Sequence, residues 1–412
     1  MCKPCGTLLK GIEEESYTGT ADGRVVGLSP QLAGLCDLFR SEPDARNVEY
    51  SVDPLRDYAD VECQLIERRH ILAENLRRLG PYQIIPGGAL ALGDTSIFYP
   101  SNRNEPYWEH IEKTYHTNVV TAGMHINIGI DDMPLLFAAY RTIRCEAALY
   151  LALSAGSPFL DGRVTGYRSI RWHIFPKTPA TLPLFADQEH YRRWMRDELD
   201  NGRLFNHRHV WNSVRPNGPD SPDNLDRLEL RVCDRVDDPP LLIALTALLE
   251  SRVLQIRDGD APIVPPCHAS PEDFSADNSA IDPYQRELLD RIDRNEEAAA
   301  RDALDAVCWR WDINVEVPLW DWLREYIDDA KRSAARYGFA EMLQPLDDVL
   351  ENGTPADRWL REVAAGATVE SVVRRAIVET SLKITDERLD DPHEVPICPT
   401  ACRSHAPDEK RE

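Results

Sequence analysis

The chain has 412 residues, of which 42% are hydrophobic, and its 47 basic against 70 acidic side chains give a net charge of −23. This acidic excess argues against a nucleic-acid partner, which needs a basic face. No run of about 18 apolar residues occurs, and the N-terminus lacks an apolar signal core. We therefore expect a cytoplasmic protein without a membrane span.

The first part of the chain predicts a mixture of strands and helices. Residues 47–52 (NVEYSV) alternate as a strand does, and residues 61–80 have apolar side chains at helical spacing as far as Gly80. A strand and a glycine-rich loop are predicted over 82–94, and residues 119–131 alternate again. Residues 133–158 indicate a long buried helix.

The rest of the chain becomes progressively helical. Residues 157–183 are rich in Gly, Arg and aromatic side chains and predict a long loop, whereas 206–218 and 226–236 predict a hairpin. Helical patterns follow at 238–259 and near 284–308, 318–337, 340–351, 355–365 and 368–384. Because strands come first and no βαβ alternation occurs, the fold class is α+β with an antiparallel sheet.

The ten cysteines do not form the dense framework of a small secreted domain. Five lie among apolar residues and are expected in the core, namely Cys36, Cys63, Cys145, Cys233 and Cys308. At the two ends, Cys2, Cys5, Cys398, Cys402 and His405 allow a zinc clip or a redox pair. Tails with incidental thiols are the simpler interpretation, because no second CxxC matches the first.

Four strand-like stretches place polar, chargeable residues where a buried sheet should have apolar ones. They contain Glu13 and Glu15, then Glu49, then His125 with Asn127, and finally Glu229 with Arg231. The two-residue period of a strand puts each pair on one face, opposite apolar neighbours. Asp44 stands five residues before Glu49 and is a further candidate.

Converging carboxylates of this kind suggest a cation site. A buried carboxylate without a partner is costly, and oxygen-rich clusters suit Mg²⁺ or Mn²⁺, which bind phosphate oxygens in turn. The alternative is a solvent-facing sheet surface with Glu–Arg pairs across strands. The sequence contains neither GxGxxG nor GxxxxGK[ST], so no Rossmann turn or P-loop holds a nucleotide.

The distribution of arginines favours the cation site over the solvent-facing sheet surface. They gather in the predicted loop and the hairpin region, at Arg163, Arg168, Arg171, Arg208 and Arg215. Arginine binds phosphate and carboxylate through two parallel hydrogen bonds. Acidic strands beside an arginine-rich segment therefore indicate a site for metal-bound polyphosphate and an anionic substrate, with Arg168 and Arg231 as the strongest candidates.

Several ordered motifs resemble one family. LLKGIEEESYTGT, EPDARNVEYSV, IIPGGALALGDTSIFY, TYHTNVVTAGMHINIGI, LALSAGSPFLDGRVTGYRSIRW, WNSVRPNG and LELRVCD cover roughly residues 7–255 in the right order. Together they resemble the glutamate–cysteine ligases of the carboxylate–amine ligase superfamily, and most closely the cyanobacterial type. The helical C-terminal third is similar only in general character.

The resemblance implies a fold similar to glutamine synthetase, with a curved antiparallel sheet forming a funnel and helices outside. It implies ATP-dependent joining of the γ-carboxylate of L-glutamate to the amine of L-cysteine, the first step of glutathione synthesis. Residues carried over by motif are metal ligands at Glu13, Glu15, Glu49, His125 and Glu229, with Asp44 as a looser match. Arg231, Arg168 and Arg215 are expected in catalysis, and Asn127, Arg163, Arg171 and Tyr167 in substrate or nucleotide binding.

The implied chemistry fits these residue types. ATP must first phosphorylate the poorly electrophilic carboxylate, and Mg²⁺ with arginine offsets the charge of the transferred phosphate. The acyl phosphate needs protection from water, and residues 157–183 are a candidate cover. His125 is an unusual ligand for Mg²⁺, which prefers oxygen, so Mn²⁺ or substrate is an alternative partner.

Two alternatives remain open. One is a ligase of the same superfamily with another amine acceptor, since none of the motifs recognises the thiol; the other is a metal-binding or regulatory homologue without catalysis. We expect a catalytic sheet core over 7–259, a helical portion over 260–385 packed on it, and a flexible tail over 386–412. The expected partners are small molecules, and a homodimer is allowed.

Overall fold

Seven antiparallel strands form the central sheet, and long helices pack on one of its faces. The computed structural model describes residues 5–216, 226–266 and 283–386. In the first part of the chain the elements are β1 (Cys5–Thr20), α1 (Ser29–Leu35), β2 (Phe39–Ser41), β3 (Asn47–Asp57), α2 (Tyr58–Leu79), β4 (Tyr82–Ile85), α3 (Pro106–Tyr115), β5 (Met124–Gly129) and α4 (Met133–Ser154).

The remaining elements include two small hairpins and most of the helices. They are β6 (Phe159–Leu160), β7 (Arg163–Val164), α5 (Ile170–Ile174), α6 (Gln188–Asp200), β8 (Val214–Arg215), β9 (Arg227–Leu230), α7 (Pro239–Asp258), α8 (Pro283–Asp302), β10 (Val307–Arg310), β11 (Val315–Pro318), α9 (Leu319–Tyr337), α10 (Pro345–Asn352), α11 (Pro355–Ala364) and α12 (Val369–Asp386).

The central sheet has the strand order β2–β3–β1–β5–β9–β8, and β4 pairs with the end of β1. Every pairing in it is antiparallel. Together with the flanking helices, this confirms the predicted α+β class. Strand β1 lies between β3 and β5, so its alternating side chains reach both neighbours.

Helices α4 and α7 cover the apolar face of the sheet. Asp132 caps α4 by accepting a hydrogen bond from the Leu135 amide (3.0 Å), and the helix is buried from Leu136 to Ser154. Helix α7 is long and apolar enough to cross a membrane by length and composition alone. In this fold 94% of its most apolar stretch is buried, as expected of a core helix.

The C-terminal helices extend the same hydrophobic core. Side chains of α9 and α10, including Trp322 and Leu346, belong to the cluster that contains Ile12 of β1 and Leu248 of α7. The division of the chain at residues 259 and 260 stays a prediction. Residues 387–412, and with them Cys398, Cys402 and His405 of the predicted zinc clip, lie outside the described residues.

Three local predictions need correction. Residues 157–183 are not one loop, because they form the β6–β7 hairpin and α5, which packs against α8. The helix predicted near 284–308 ends at Asp302, and the chain then forms the β10–β11 hairpin. Cys63 is exposed on α2, whereas the other four predicted core thiols are buried as expected.

Candidate active site

One face of the central sheet is polar, and its side chains come from five adjacent strands. Alternation directs them away from the helices, and the register then places them beside one another: Glu13 opposite His125, Glu15 opposite Glu49, Asn127 opposite Glu229, and Glu229 opposite Arg215. We call Glu13, Glu15, Glu42, Glu49, His125, Asn127, Arg215, Glu229 and Arg231 the front-face group.

His125 stands at the centre of this group. Its Nδ1 lies 3.1 Å from Glu13 Oε2 and 3.7 Å from Glu229 Oε1, and its Nε2 lies 3.8 Å from Glu15 Oε1. Burial, followed by the charge of Arg231, lowers the pKa of His125 well below its ordinary value. The imidazole is therefore neutral near pH 7 and has a lone pair available.

Glu229 and two arginines form the positively charged half of the front-face group. Arg215 donates to Glu229 through Nε (2.5 Å) and Nη2 (3.1 Å), and Arg231 donates to it as well. Burial alone would raise the pKa of Glu229, but the two guanidinium groups outweigh burial and hold that pKa below its ordinary value. Two cations against one carboxylate leave a surplus positive charge here.

The other half of the group consists of crowded carboxylates. Burial, with the charges of Glu13 and Glu42, raises the pKa of Glu49 well above its ordinary value. Burial and the charge of Glu15 likewise raise the pKa of Glu42 to about 7. The ion pair that Glu49 makes is a long one, 3.8 Å, with the half-exposed Arg40. These carboxylates therefore lack the compensation that Glu229 receives.

Two overlapping triads in this half could each hold a cation. One consists of Glu13, Glu49 and His125, and the other of Glu15, Glu42 and Glu49, with potential ligand atoms within 4.8 Å of one another in each. The second triad offers only oxygen, which suits Mg²⁺, and the first includes an imidazole, which Mn²⁺ accepts more readily.

Glu42 replaces Asp44 in this arrangement. The two carboxylates of Asp44 and Glu42 belong to the same turn between β2 and β3, but Asp44 is buried against Arg46, whose Nε and Nη2 each lie 2.8 Å from it. Asp44 also accepts a hydrogen bond from the Tyr99 amide (2.9 Å). Because its oxygens accept hydrogen bonds inside the turn, Asp44, which was predicted as a metal ligand, does not join the front-face group.

Arg171 reaches the site from α5, as part of the segment predicted to be a loop. Its guanidinium donates to the carbonyl groups of Arg231 (3.3 Å) and Val232 (3.2 Å). It also lies against Gly123, where an added Cβ would come within 2.0 Å of Arg171 Nη2. The Gly123 amide in turn donates to Glu15 (2.7 Å). Glycine at position 123 thus lets the guanidinium approach the backbone beside Glu15.

Three predicted residues do not join the group. Arg163 is exposed on β7, and Tyr167 donates to Glu297 of α8 (2.9 Å). Arg168 pairs with Asp357 of α11 (3.2 Å). All three were predicted beside Arg171 in sequence, but Tyr167 and Arg168 contact the outer helices α8 and α11, and Arg163 is exposed.

A cleft of about 450 Å³ opens beside Glu13 and Asn127. Arg40 and Arg227 line it together with the backbone around Gly11 and Gly129. The amide nitrogen of Asn127 donates to Glu13 (3.2 Å), while its buried Oδ1 has no hydrogen-bond partner among the described residues. This orphaned acceptor is available to a ligand in the cleft.

The chain also matches a known protein family over most of its length. The chain falls in the class of carboxylate–amine ligases. Within that class it belongs to the glutamate–cysteine ligase family 2, whose model matches residues 9–378. The family resemblance predicted from the ordered motifs is thereby confirmed.

Individual relatives are distant. A protein of Sorangium cellulosum named "Putative glutamate–cysteine ligase 2" is 27% identical over 92% of this chain and 97% of its own length. A glutamate–cysteine ligase of Haloferax volcanii is 29% identical over 61% of this chain and 71% of its own length.

Solved structures share the fold. The crystal structure of a glutamate–cysteine ligase from Francisella tularensis, in complex with AMP, has a TM-score of 0.70 at 13% identity and is matched over 96% of this chain and 91% of that one. A bifunctional glutathione synthetase from Pasteurella multocida has a TM-score of 0.67 at 15% identity over 92% of this chain. The present chain spans about half (53%) of that longer protein.

Proposed function

We propose that this protein joins the γ-carboxylate of L-glutamate to the amine of L-cysteine with ATP as co-substrate, giving γ-glutamylcysteine, ADP and phosphate in the cytoplasm. The observation that carries the proposal is the division of the front-face group into a crowded anionic half and a cationic half on one sheet face. Family membership and an AMP-bound structural neighbour support the choice of reaction and nucleotide.

The anionic half fits a divalent cation. Glu42 and Glu49 have raised pKa values because burial and neighbouring carboxylates oppose their ionisation, and a cation would remove that opposition. When bound, Mg²⁺ or Mn²⁺ would neutralise phosphate oxygens of ATP. The two triads, Glu13–Glu49–His125 and Glu15–Glu42–Glu49, are the residues that would hold it.

The cationic half would bind the phosphate that is transferred. Arg231 is ion-paired and also lies 3.3 Å from His125, so its guanidinium faces the middle of the group. Arg215 stays on Glu229 and orients that carboxylate. Preorganised guanidinium groups stabilise charge that develops on the phosphate without reorganisation at the moment of transfer.

The reaction then follows in two balanced steps. A γ-carboxylate oxygen of glutamate attacks the terminal phosphorus of ATP, and ADP leaves. The neutral amine of cysteine attacks the acyl carbon, phosphate leaves with the former carboxylate oxygen, and the amine proton is released. Asn127 of the front-face group and Arg171, which is buried beside the group, are proposed to orient the substrates.

Phosphate release tests the reaction. Purified protein is given ATP, Mg²⁺ and L-glutamate together with L-cysteine or another amino acid, and phosphate and ADP are measured. We expect release with cysteine at a rate well above that with other amines. Release with a different amine would instead support a ligase with another acceptor, and release with none would support a homologue without catalysis.

An isotope and two variants test the chemistry. Glutamate labelled with ¹⁸O in its γ-carboxylate should pass a labelled oxygen to the released phosphate. Glu13→Gln should lower the rate about 100-fold, while Glu297→Gln, which changes a half-exposed glutamate on α8 outside the front-face group, should not. A fully active Glu13→Gln protein would contradict the assignment of the metal site.

A further inference from the structure

The back of strand β1 is unusually polar for a face that meets a helix-covered core. Lys10, Glu14 and Ser16 are fully buried on it, and Ile12 lies between them. The same face of neighbouring β5 has only Met124, Ile126 and Ile128. Apolar side chains would fill such positions at lower cost, so the buried charges of β1 need a separate reason.

Glu14 has two cationic partners from different parts of the fold. Arg69 of α2 donates a hydrogen bond to Glu14 Oε2 through Nη2 (2.8 Å), and Arg235, which follows β9, lies 3.2 Å from Oε1 as an ion pair without hydrogen-bond geometry. All three side chains are at least 97% buried. We call Glu14, Arg69 and Arg235 the β1 clamp.

The β1 clamp connects the two sides of the front-face group from behind. Arg69 donates to the carbonyl groups of Val236 (2.8 Å) and Asp237 (2.6 Å), and Arg235 donates to Ser16 of β1 (3.1 Å). Strand β1 is thereby tied to α2 and to the segment that continues from Arg231. Glu13 and Glu15, the neighbours of Glu14, face forward into the anionic half.

Directional bonds hold position in a way that apolar contacts do not. Apolar packing tolerates small shifts of a strand, whereas the hydrogen bonds of Arg69 to Glu14 and of Arg235 to Ser16 fix both distance and angle. Metal sites lose affinity when their ligands move by about half an ångström. A clamp directly behind the two ligands therefore acts where a shift of β1 would matter most.

We propose that Glu14, Arg69 and Arg235 are positioning residues, which set the spacing of Glu13 and Glu15 from Glu49 and His125 and so the affinity of the front-face group for a divalent cation. The proposal rests on the metal-dependent function proposed above. It also implies that Glu14 matters less to the reaction than either neighbour, because it acts only through them.

Manganese binding tests this inference without catalysis. Mn²⁺ is titrated into the full chain, free of nucleotide, and unbound Mn²⁺ is followed by electron paramagnetic resonance well below each variant's melting midpoint. The test variants are Glu14→Gln and the milder Arg69→Lys. The matched controls are Glu146→Gln and Arg252→Lys, which alter a buried Glu–Arg pair between α4 and α7.

We expect Glu14→Gln to weaken Mn²⁺ binding about 10-fold and Arg69→Lys about threefold, and saturating Mg²⁺ should restore most of the turnover rate. The controls should lose thermal stability while retaining wild-type affinity. Wild-type affinity in a folded Glu14→Gln or Arg69→Lys protein would overturn the β1 clamp, as would equal weakening in the controls. A wild-type protein that binds no Mn²⁺ would overturn the proposed metal site and the clamp with it.

Discussion

The two halves of the front-face group use the same residue type in opposite ways. Glu229 is held by Arg215 and Arg231, and its pKa lies below the ordinary value despite full burial. Glu49, which is separated from it by the two strands β1 and β5, meets mainly other carboxylates, and its pKa is raised well above that value. A buried glutamate therefore indicates a structural ion pair or a ligand according to whether the fold supplies its countercharge.

The back of the sheet contains a third buried glutamate with its own countercharges. Glu14 resembles Glu229, because two guanidinium groups outweigh burial and hold its pKa below the ordinary value. Three consecutive glutamates of β1 therefore differ in their surroundings. Glu14 is paired with arginines behind the sheet, whereas Glu13 and Glu15 lie among the crowded carboxylates in front. The variants below are chosen to separate paired from crowded carboxylates.

The largest expected effect is on stability, in the paired half. Glu229→Gln leaves Arg215 and Arg231 buried without a countercharge, and breaking such a pair costs about 3–5 kcal/mol. Urea unfolding followed by tryptophan fluorescence measures the loss. A decrease below about 1 kcal/mol would show that solvent already compensates these arginines.

Glu49→Gln should weaken metal binding without lowering stability. Removing one crowded carboxylate relieves repulsion, so the free energy of unfolding without metal should stay the same or rise by about 1 kcal/mol. Because Glu49 belongs to both triads, Mn²⁺ affinity should fall about 100-fold. Calorimetric titration and urea unfolding of the same preparation measure both quantities. Destabilisation as large as that of Glu229→Gln would erase the distinction between the halves.

A smaller effect is expected on the pH dependence of metal binding. The pKa of Glu42 is about 7, so protons compete with the cation below that pH. Mn²⁺ binding should therefore tighten as the pH rises from about 6 to about 8. Glu42→Gln should bind more weakly and show a flatter pH profile over that range. An unchanged slope in this variant would place the competing proton elsewhere.

The smallest effect is expected outside the group. Arg163 is exposed on β7, so Arg163→Gln should leave the rate of phosphate release within about twofold of wild type. Arg171→Gln is the matched comparison, because Arg171 is buried beside Glu15 and its loss should lower the rate by at least about 10-fold. Equal decreases in the rate of phosphate release in the two variants would show that Arg163 contributes to the site.

Local periodicity was enough to find most of the front-face group. In β1, β5 and β9 the ligand candidates alternate with apolar residues, so the sequence itself separates Glu13 from Glu14 and His125 from Ile126. The same period underlies the predicted antiparallel sheet. It could not reveal that Glu14 is paired with Arg69, because 55 residues separate them.

Two predicted site residues that do not join the front-face group, Asp44 and Arg168, lie outside regular strands. Glu42 and Asp44 lie in one short turn, and contacts with Arg46 and the Tyr99 amide occupy the oxygens of Asp44 but not those of Glu42. Arg168 and Arg171 are three residues apart, yet they lie in different places. Arg168 contacts α8 and α11, whereas Arg171 packs against Gly123 beside the front-face group. These outcomes depend on tertiary contacts that no local pattern encodes.

The most direct test of the two-halves account is anomalous diffraction from crystals grown with Mn²⁺ and a non-hydrolysable ATP analogue. We expect manganese peaks within bonding distance of Glu49, shared with Glu13 and His125 or with Glu15 and Glu42, and phosphate oxygens facing Arg231. Manganese bound elsewhere, or phosphates turned away from Arg231 while Glu49 stays empty, would contradict it.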